Sequence, residues 1–537
     1  MRAKERVDAI SGTGEVCAVP GPNFAQSPRM EPQSQTLSAV AAALEASVAA
    51  GAVYRRKTLR ERTAFLHAIA RELEADADKL IATAARETHL DEARLRLELR
   101  RTQWQLFSYG NASLDGIPLG ISIDTPSAAG GRSEADGGKL PDWGKVQPKQ
   151  DLRKMQVPLG PVVVFGASNF PFAYSTAGGD TAAALAAGCP VIVKAHPAHA
   201  ETSCGVATAV QRAAAACGLP EALFQHLEGG FDLGGALVQH PLTAAVAFTG
   251  SLEGGRALFD LAAARPRPIP VFAEMGSANP VFLLPGQLAE QGAELAKLLT
   301  ASITSSAGQF CTKPGLLIGI EGPELDAFAD ALAKRISIVP PAEMLHSGIA
   351  KAFQHKRADA LDIAGVEVAG TLSCPVGRNE SIPTLATVPG EIFLAQPALH
   401  HEVFGPFALL VRCRDAAQLL DVALALEGQL TGTLMATTEE LRELPELLEA
   451  LQARCGRMVR NGVPTGVEVV TAMHHGGPYP ATTDARFTAV GADGIGRFTR
   501  PVCFQNWEEE LLPEELQRHN PLGVWRRVNG VLSREGF

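Results

Sequence analysis

The sequence predicts an α/β fold in which helices cover both faces of a mainly parallel sheet. From Gly160 onward, short apolar runs alternate with longer segments of helical spacing, as βαβ crossover units require. The second half of the chain repeats this alternation. The chain has 537 residues, of which 46% are apolar and 20% are charged, and these values are typical of a folded protein with several domains.

The N-terminal region is predicted to be helical. Residues 37–50 are rich in alanine, residues 60–85 carry apolar side chains at helical spacing, and residues 90–106 are expected to form a third, strongly charged helix. Residues 110–150 are dominated by Asn, Gly, Pro, Ser and Asp, which predicts a long loop. Residues 1–35 follow no such pattern and are interpreted as an N-terminal extension.

Four apolar runs then predict strands of one sheet. They lie at residues 162–165, 191–193, 223–227 and 244–248, with helices expected at residues 173–187, 202–217 and 233–239. Because helical crossovers join parallel strands, these runs predict a doubly covered parallel sheet of a nucleotide-binding type. A fold class alone does not establish a function.

The second half predicts another α/β domain and a tail. Its strands are expected at residues 280–284, 315–320, 409–413, 433–436 and 458–460, and its helices at residues 288–305 and 323–338. From Glu508 the chain is acidic and then carries Pro, Asn and Arg, which indicates a peripheral C-terminal segment.

Charge and cysteine content exclude several classes of function. The formal net charge is −10, whereas a protein that binds the nucleic-acid backbone needs a basic face. The chain has no uninterrupted apolar run of about 18 residues and no apolar signal-peptide core, so neither a membrane span nor a secretory signal is expected. The nine cysteines are odd in number and form no C-x-x-C pair, which favours reduced thiols, a cytoplasmic protein and no metal site.

The segment Phe248–Gly255 is the first candidate for a ligand site. It follows a predicted strand and opens a predicted helix, and Gly250 and Ser251 lie at the junction. Glycine allows backbone N–H groups to approach a pyrophosphate, and a helix N-terminus favours negative charge. The segment lacks the G-x-G-x-x-G pattern, so an ordinary strand–helix turn is an equal alternative when it is considered alone.

Two further segments carry groups suited to catalysis. Cys311 stands among small residues that leave room for a substrate, as a thiolate nucleophile requires, although most cysteines are inert core residues. Glu274 stands between apolar residues at the end of a short strand, where burial would suit a general base, although a solvent-facing or ion-paired glutamate is the commoner case.

Two turns complete the candidate set. Asn169 follows the first strand of the parallel sheet, where its side-chain N–H could bind a developing oxyanion, although turn asparagines are common. Glu402 and Phe404 precede Gly-Pro, where a carboxylate could anchor a ribose and a ring could pack on a flat cofactor. Taken alone, this second segment is a turn before a strand.

Together these elements carry a family resemblance. Their order in the chain is Asn169, Lys194, Gly250-Ser251, Glu274, Cys311 and Glu402-x-Phe404. In this order and with these neighbours, residues 36–510 resemble the aldehyde dehydrogenase superfamily. Residues 193–199, 308–315 and 475–482 are similar to the branch that acts on 2,5-dioxovalerate, also called α-ketoglutaric semialdehyde. The agreement of several ordered motifs outweighs the ordinary interpretation of each one.

The resemblance implies a division into domains. A Rossmann-type cofactor domain is expected from residues 36–121 and 157–275, an α/β catalytic domain from residues 276–485, a small β oligomerisation element from residues 122–156 and 486–510, and a tail from residues 511–537. It also implies a homodimer or homotetramer that acts on a small-molecule aldehyde.

The resemblance also implies roles for the site residues. Cys311 is expected to attack the aldehyde, Asn169 to hold the oxyanion, and Glu274 to activate the water that hydrolyses the thioester. Cofactor binding is assigned to Lys194 (adenosine ribose or its 2′-phosphate), Gly250 and Ser251 (pyrophosphate), and Glu402 and Phe404 (nicotinamide ribose). Relatives that prefer NAD⁺ usually carry an acid three positions after the lysine. This chain has Pro197 there, so NADP⁺ is the expected cofactor and NAD⁺ remains open.

The expected substrate is 2,5-dioxopentanoate, whose distal carboxylate calls for a cation. Arg101 is the candidate because its helix resembles the substrate-channel helix of the family, and the alternative is a surface arginine. For His475, packing beside Gly-Gly-Pro is favoured over an acid–base role. Two other functions stay open: a broad-specificity or fatty aldehyde dehydrogenase that uses NADP⁺, and a catalytically silent protein on this scaffold, which the retention of Cys311, Glu274 and Asn169 opposes.

Overall fold

The computed structural model describes residues 32–126 and 150–537. The predicted N-terminal extension up to residue 31 and residues 127–149 of the predicted long loop lie outside the described residues. The helices are α1 (Pro32–Tyr54), α2 (Leu59–Ala75), α3 (Ala77–Thr88), α4 (Glu92–Asp115), α5 (Gly179–Ala187), α6 (Ala200–Ala216), α7 (Phe231–Gln239), α8 (Leu252–Ala263), α9 (Pro285–Thr304), α10 (Pro323–Ile336), α11 (Ser347–Leu361), α12 (Gly390–Ala395), α13 (Ala416–Ala425), α14 (Thr438–Glu443) and α15 (Pro445–Gln452).

The strands form three larger sheets and a two-stranded ribbon within the described part of the chain. They are β1 (Ser122–Asp124), β2 (Leu152–Pro158), β3 (Val162–Phe165), β4 (Val191–Lys194), β5 (Phe224–Leu227), β6 (Ala245–Thr249), β7 (Val271–Glu274), β8 (Val281–Leu283), β9 (Leu316–Ile320), β10 (Ala342–Glu343), β11 (Glu367–Thr371), β12 (Glu380–Ser381), β13 (Thr384–Pro389), β14 (Phe407–Cys413), β15 (Gln429–Met435), β16 (Cys455–Arg460), β17 (Thr499–Gln505), β18 (Arg526–Val528) and β19 (Val531–Ser533).

The first large sheet is parallel, with strand order β5-β4-β3-β6-β7. Its central strand β3 is the Val-Val-Val-Phe run, and the three valines are at most 1% exposed. An apolar run buried on both faces is what helical coverage of a parallel sheet requires. Phe165 pairs with Lys194 on one side and with Phe248 on the other, so the carboxyl ends of these strands share one edge of the sheet.

The second large sheet has strand order β11-β13-β14-β9-β8-β15-β16. Its pairs are parallel except that between β11 and β13 at the edge. Separate apolar clusters on its two faces are formed by side chains of the flanking helices, such as Phe393 on α12 and Phe328 on α10. The two parallel sheets confirm the predicted α/β class. Strands β11 and β13 were not predicted, because their sequences lack an extended apolar run.

The third sheet has strand order β17-β2-β1-β18-β19. Strand β2 pairs antiparallel with β17 from Thr499–Pro158 to Gln505–Leu152. The sequence placed residues 511–537 in a separate tail. In the structure β18 pairs in parallel with β1, and β19 pairs with β18, so the C-terminal segment completes this sheet.

The N-terminal helices pack against the first sheet. The helical pattern predicted over residues 60–85 divides at Asp76, which separates α2 from α3. Within the described residues, α1 meets the length and apolarity of a membrane span over Thr36–Tyr54, and 33% of that window is buried in the protein. Val40 and Leu44 of this helix are fully buried beside Leu237, so its apolar face packs on the domain.

Candidate active site

A left-handed turn presents Cys311. Ser306, Ala307 and Gly308 have φ values of 49°, 54° and 65°, a region that residues with a Cβ rarely adopt. A Cβ on Gly308 would lie 2.4 Å from the backbone carbon of Gly405. Glycine at position 308 therefore lets the nucleophile loop touch the loop that precedes β14.

Three side chains from distant parts of the chain meet at this loop. Cys311 Sγ lies 3.7 Å from His475 Nε2, and the same Nε2 lies 2.9 Å from Glu274 Oε1. The side chains of His475 and Glu274 are 1% and 4% exposed, and Cys311 is partly exposed. Because the same nitrogen contacts both groups, it can take the thiol proton only in the tautomer that carries its hydrogen on Nδ1, and the Nε2–H so formed can then donate to the carboxylate.

The same three residues offer a sulfur, a nitrogen and an oxygen within 4.8 Å of one another, a donor set that zinc accepts. Zinc–nitrogen and zinc–oxygen bonds are each about 2.0–2.2 Å, so two such ligands on one ion lie about 3.3 Å apart. The direct 2.9 Å contact between His475 Nε2 and Glu274 Oε1 is instead that of a hydrogen bond. The arrangement therefore favours proton transfer over metal binding.

Backbone pairing holds Glu274 and His475 in register. Glu274 ends β7 and forms an antiparallel bridge with Thr482, and Met275 N–H donates to Ala481 O at 2.8 Å. His475 N–H donates to Thr488 Oγ1 at 2.9 Å. The segment that carries His475 is thus fixed against the end of β7. Glu274 Oε2 is buried and has no hydrogen-bond partner among the described residues, so it is free to accept a proton from an incoming water.

The electrostatic environment opposes ionisation of the isolated thiol. Burial raises the pKa of Cys311 well above its ordinary value, the carboxylates of Glu274 and Glu402 raise it further, and the Arg101 charge acts in the opposite direction. The nucleophile is a thiolate, so Cys311 needs a neighbouring base to take its proton. His475 is placed to take it.

Asn169 lies beside the nucleophile loop, as predicted. Its side-chain Nδ2 donates to Gln309 O at 3.1 Å, and its backbone oxygen accepts from Arg94 Nη2 at 2.7 Å. An amide nitrogen carries two hydrogens, so one remains to bind an oxyanion near Cys311. On the other side, Asn279 Nδ2 donates to Cys311 O at 2.8 Å and fixes the backbone of the nucleophile.

The phosphate-binding candidate has the predicted local structure. Ser251 is the N-cap of α8, and its side chain accepts from Gly254 N–H at 3.1 Å. A Cβ on Gly250 would lie 2.5 Å from the Phe248 ring. The first turn of a helix leaves N–H groups without partners and carries positive potential. Lys194 ends β4 at the same sheet edge, where burial lowers the pKa of its ammonium group. These residues fit the phosphates and ribose of a dinucleotide.

Glu402 and Phe404 lie on the loop before β14, on the other side of Cys311. A Cβ on Gly276 would lie 2.6 Å from Glu402 Oε2, so the carboxylate packs directly on the residues that follow β7. Burial raises the pKa of Glu402, and the charge of Lys313 lowers it. This lysine, two positions after the nucleophile, did not stand out in the sequence.

Three arginines, Arg94, Arg101 and Arg457, interact electrostatically with Cys311. Arg101 Nη2 donates to the Tyr174 hydroxyl at 3.0 Å, and the Arg94 guanidinium lies 4.8 Å from the centre of the Phe310 ring. Arg457 contacts the Gly466 carbonyl at 3.0 Å. Each keeps one buried N–H nitrogen with no partner among the described residues: Arg94 Nη1, Arg101 Nη1 and Arg457 Nε.

These arginines act on the nucleophile. Burial lowers the pKa of the Arg94 and Arg457 guanidinium groups, and negative charge on Cys311 opposes that shift in both. Glu98, which is 4% exposed, is a countercharge for Arg94 and Arg101. The surroundings of Cys311 therefore include three arginines that each keep a buried donor without a partner among the described residues. Sequence reasoning selected Arg101 and missed Arg94 and Arg457, because nothing in their local sequence distinguishes them from surface arginines.

The fold and the site together define an enzyme that uses a cysteine nucleophile beside a dinucleotide fold. A model of the aldehyde dehydrogenase family matches residues 13–479, and the chain belongs to this family. It is 48% identical over 478 residues to α-ketoglutaric semialdehyde dehydrogenase 2 of Azospirillum brasilense, a match that covers 89% of this chain and 88% of the relative. It is 43% identical over 500 residues to α-ketoglutaric semialdehyde dehydrogenase of Acinetobacter baylyi, with 93% and 92% coverage.

Solved structures share the fold at lower identity. An NADP-dependent enzyme of E. coli matches with a TM-score of 0.71 and 22% identity, covering 87% of this chain and 90% of that one. The glyceraldehyde-3-phosphate dehydrogenase GapN of Methanocaldococcus jannaschii, in complex with NADP, matches with a TM-score of 0.71 and 16% identity, covering 88% and 95%. The predicted family and fold are confirmed.

The predicted site residues fall into two groups around Cys311. Asn169, Glu274 and Cys311 lie together, and Glu402 packs near them through Gly276. Lys194, Gly250 and Ser251 lie at the edge of the first sheet. The sequence favoured packing for His475, and the structure shows in addition that its imidazole contacts both the thiol and the carboxylate.

Proposed function

We propose that this chain oxidises 2,5-dioxopentanoate (α-ketoglutaric semialdehyde) to 2-oxoglutarate, with NAD(P)⁺ as the oxidant. The observation that carries the proposal is the contact set Cys311–His475–Glu274 next to buried arginine N–H groups that lack partners. The names of the two curated relatives described above support the same substrate.

In the first step Cys311 gives its proton to Nε2 of His475, in the tautomer that carries its hydrogen on Nδ1, and attacks the aldehyde carbon. The 3.7 Å contact between Sγ and Nε2 is of the length that tightens when a substrate binds. The Nε2–H that results donates to Glu274 Oε1, 2.9 Å away, and the carboxylate stabilises the imidazolium. The new oxyanion is held by the free hydrogen of Asn169 Nδ2 and by the Cys311 backbone N–H.

The second half of the reaction uses Glu274 again. Bound NAD(P)⁺ would supply the hydride acceptor, and loss of the hydride would leave the substrate as a thioester on Cys311. Glu274 then takes a proton from a water that attacks the thioester, and the carboxylate product leaves. The buried Glu274 Oε2, which lacks a partner among the described residues, is the atom suited to that water.

An anionic substrate explains the arginines. The distal carboxylate of 2,5-dioxopentanoate needs charged donors, and Arg101 Nη1, Arg94 Nη1 and Arg457 Nε are buried donors without partners. Charge-assisted hydrogen bonds to a carboxylate are about twice as strong as neutral ones. An alkyl chain would leave these groups desolvated and unsatisfied, at a cost of about 1–3 kcal/mol for each group. The arrangement thus opposes a fatty aldehyde as the main substrate.

For the cofactor, we propose that NADP⁺ is accepted and that NAD⁺ is used as well. Three positions after Lys194, Pro197 starts a short 3₁₀ helix and brings no carboxylate that would repel a 2′-phosphate. His196 caps this helix by accepting from Ala198 N–H at 3.1 Å. Burial lowers the pKa of His196 to about 3, so it is neutral and adds no cation for the phosphate either.

We also propose a cytoplasmic homodimer or homotetramer that assembles through the third sheet. Val531 and Leu532 on the edge strand β19 are 59% and 58% exposed. An edge strand with exposed apolar side chains is a ready surface for pairing. Light scattering on the purified protein measures the oligomer, and a monomer at micromolar concentration would contradict the proposal.

The substrate is tested by steady-state kinetics with a panel of aldehydes and both cofactors. The panel compares α-ketoglutaric semialdehyde with succinic semialdehyde, glutaraldehyde and a fatty aldehyde. The expected result is the highest kcat/KM for the dioxo acid, with a lower value for glutaraldehyde, which lacks the carboxylate. A higher kcat/KM for the fatty aldehyde would overturn the proposal.

A further inference from the structure

Lys313 is a buried cation for which the reaction described above has no role. It lies two positions after Cys311 and is 1% exposed. Its Nζ donates to Phe407 O at 2.8 Å and to Val403 O at 3.3 Å. Burying an ammonium group against neutral carbonyls is costly, so a core position would more cheaply hold an apolar side chain. A function for the charge must be sought in what surrounds it.

The two carbonyls belong to the loop that carries Glu402 and Phe404. Val403 and Phe407 bracket Gly405, whose φ is 145° and whose Cβ, if present, would lie 2.3 Å from the Phe353 ring. Within this loop Phe407 N–H donates to Gly405 O at 2.8 Å. The Lys313 ammonium therefore ties both ends of the loop to one point.

The backbone of Lys313 is also linked to that of Cys311. Asn279 Nδ2 donates to Cys311 O at 2.8 Å and to Lys313 O at 3.1 Å. Asn279 therefore holds the backbones of Cys311 and Lys313 together. The side chain of Lys313 in turn holds the loop of Glu402. Lys313 thus joins the nucleophile segment to the Glu402 loop, in addition to the direct contact between Gly308 and Gly405.

Charge couples Lys313 to Glu402 as well. Burial lowers the pKa of Lys313 and the Glu402 charge raises it. Burial raises the pKa of Glu402, Lys313 and then Lys356 lower it, and Glu253 raises it. Lys313 is the larger of the two cationic influences on this carboxylate, and Lys356 is half exposed and paired with Glu253 at 3.9 Å.

We propose that Lys313 is a positioning residue for the nicotinamide ribose: it joins the loop of Glu402 and Phe404 to the segment of Cys311, and its charge favours the carboxylate form of Glu402, which accepts hydrogen bonds from ribose hydroxyls. The inference rests on the proposed assignment of Glu402 to the cofactor. It goes beyond that assignment because it explains why a lysine follows the nucleophile.

The test measures cofactor binding to the full-length protein without aldehyde, as a dissociation constant for NADP⁺ and NAD⁺ over a pH series. Lys313→Met keeps the length of the side chain and removes the charge and the donors. We expect its Kd to rise about tenfold near neutral pH, the factor that corresponds to one pKa unit of Glu402. Because the lost cation held the pKa of Glu402 down, weakening at acid pH should begin at a higher pH than in the wild type.

Three matched variants separate the possible causes. Lys356→Met removes the second cation that lowers the pKa of Glu402 and should shift the pH profile less, with kcat unchanged. Lys313→Gln keeps a hydrogen-bond donor but removes the charge. Compared with Lys313→Met, it should restore kcat more than it restores the pH profile of cofactor binding. Glu402→Gln should weaken cofactor binding wherever the wild-type carboxylate is ionised, and it should remove this part of the pH dependence. Thermal unfolding confirms that each variant is folded, and Lys313→Gln replaces Lys313→Met if the latter does not fold.

Three outcomes would overturn the inference in distinguishable ways. If Glu402→Gln weakens cofactor binding while both Lys313 variants bind as the wild type does at every pH, the role of Lys313 is wrong and the ribose assignment stands. If Glu402→Gln itself leaves the Kd unchanged, the assignment of Glu402 to the cofactor fails. A shift in Lys356→Met as large as that in Lys313→Met would show a diffuse charge effect and contradict the positioning role.

Discussion

The phosphate-binding turn and the nucleophile site are built in opposite ways. Gly250 and Ser251 are neighbours in sequence, and one strand end and one helix start make the turn. At the nucleophile site, 164 residues separate Cys311 from His475 and 201 separate His475 from Glu274. A local turn depends on residue preferences at a few positions, whereas the second site depends on the pairing of β7 with the segment around Thr482. A single substitution should therefore reduce catalysis more at the nucleophile site than at the phosphate-binding turn.

The largest effect is expected for His475→Asn, which keeps polarity and approximate size but removes the base. We expect kcat/KM to fall by about 10²–10³-fold, the usual contribution of a positioned general base. Because burial raises the pKa of Cys311, the thiolate fraction in the variant should rise with pH. Part of the activity should then return at alkaline pH, where the wild type has already levelled off.

The neighbouring residue supplies the control for this prediction. His474→Asn changes a half-buried imidazole whose pKa is lowered by burial and which has no contact with the thiol in the set described above. It should leave the pH–rate profile in place. A His475→Asn variant that loses less than about threefold, with an unaltered profile, would show that this histidine only packs.

Sequence reasoning succeeded where the information is local and failed where it is not. The strands at Val162–Phe165 and Val191–Lys194 and the helix start after Ser251 follow from residue patterns within one element. His475 could not be assigned in the same way, because Gly-Gly-Pro beside it has a packing explanation and its partners are far away in the chain. The order of Asn169, Glu274 and Cys311 was informative only through the family resemblance.

The buried cations show the same limit. Arg100 and Arg101 are adjacent in a charged helix, and only the packing of α4 separates an exposed residue from one that contacts Tyr174. Lys313 lies two positions after the nucleophile, so its place in the chain was visible in the sequence. What could not be seen is that its ammonium is buried and faces the loop of Glu402. Whether a charged side chain is buried depends on tertiary packing and cannot be deduced from composition.

An intermediate effect is expected for Arg101→Ala, measured with two aldehydes. A hydrogen bond to a charged group contributes about 1.5–3 kcal/mol, so KM for 2,5-dioxopentanoate should rise about 10–100-fold. KM for a neutral aldehyde of similar length should change much less, because it offers no carboxylate. Arg100→Ala, on the exposed face of the same helix, should affect neither. Equal increases in KM for both aldehydes would show that Arg101 has a structural role and does not bind the substrate carboxylate.

The smallest effect is expected at the local turn, for Ser251→Ala. The hydroxyl caps α8 by accepting from Gly254 N–H, and loss of an N-cap costs about 1 kcal/mol, but the backbone N–H groups that face a pyrophosphate remain. We expect KM for the cofactor to rise about fivefold, which is the same 1 kcal/mol at 25 °C, with kcat nearly unchanged.

Thr437→Ala removes an equivalent cap at the start of α14, where Thr437 accepts from Glu440 N–H at 3.2 Å. It should lower the unfolding temperature by a similar amount and leave cofactor KM as in the wild type. If both variants raised KM equally, the effect of Ser251 would be one of general stability, and the cofactor would have to bind away from the N-terminus of α8.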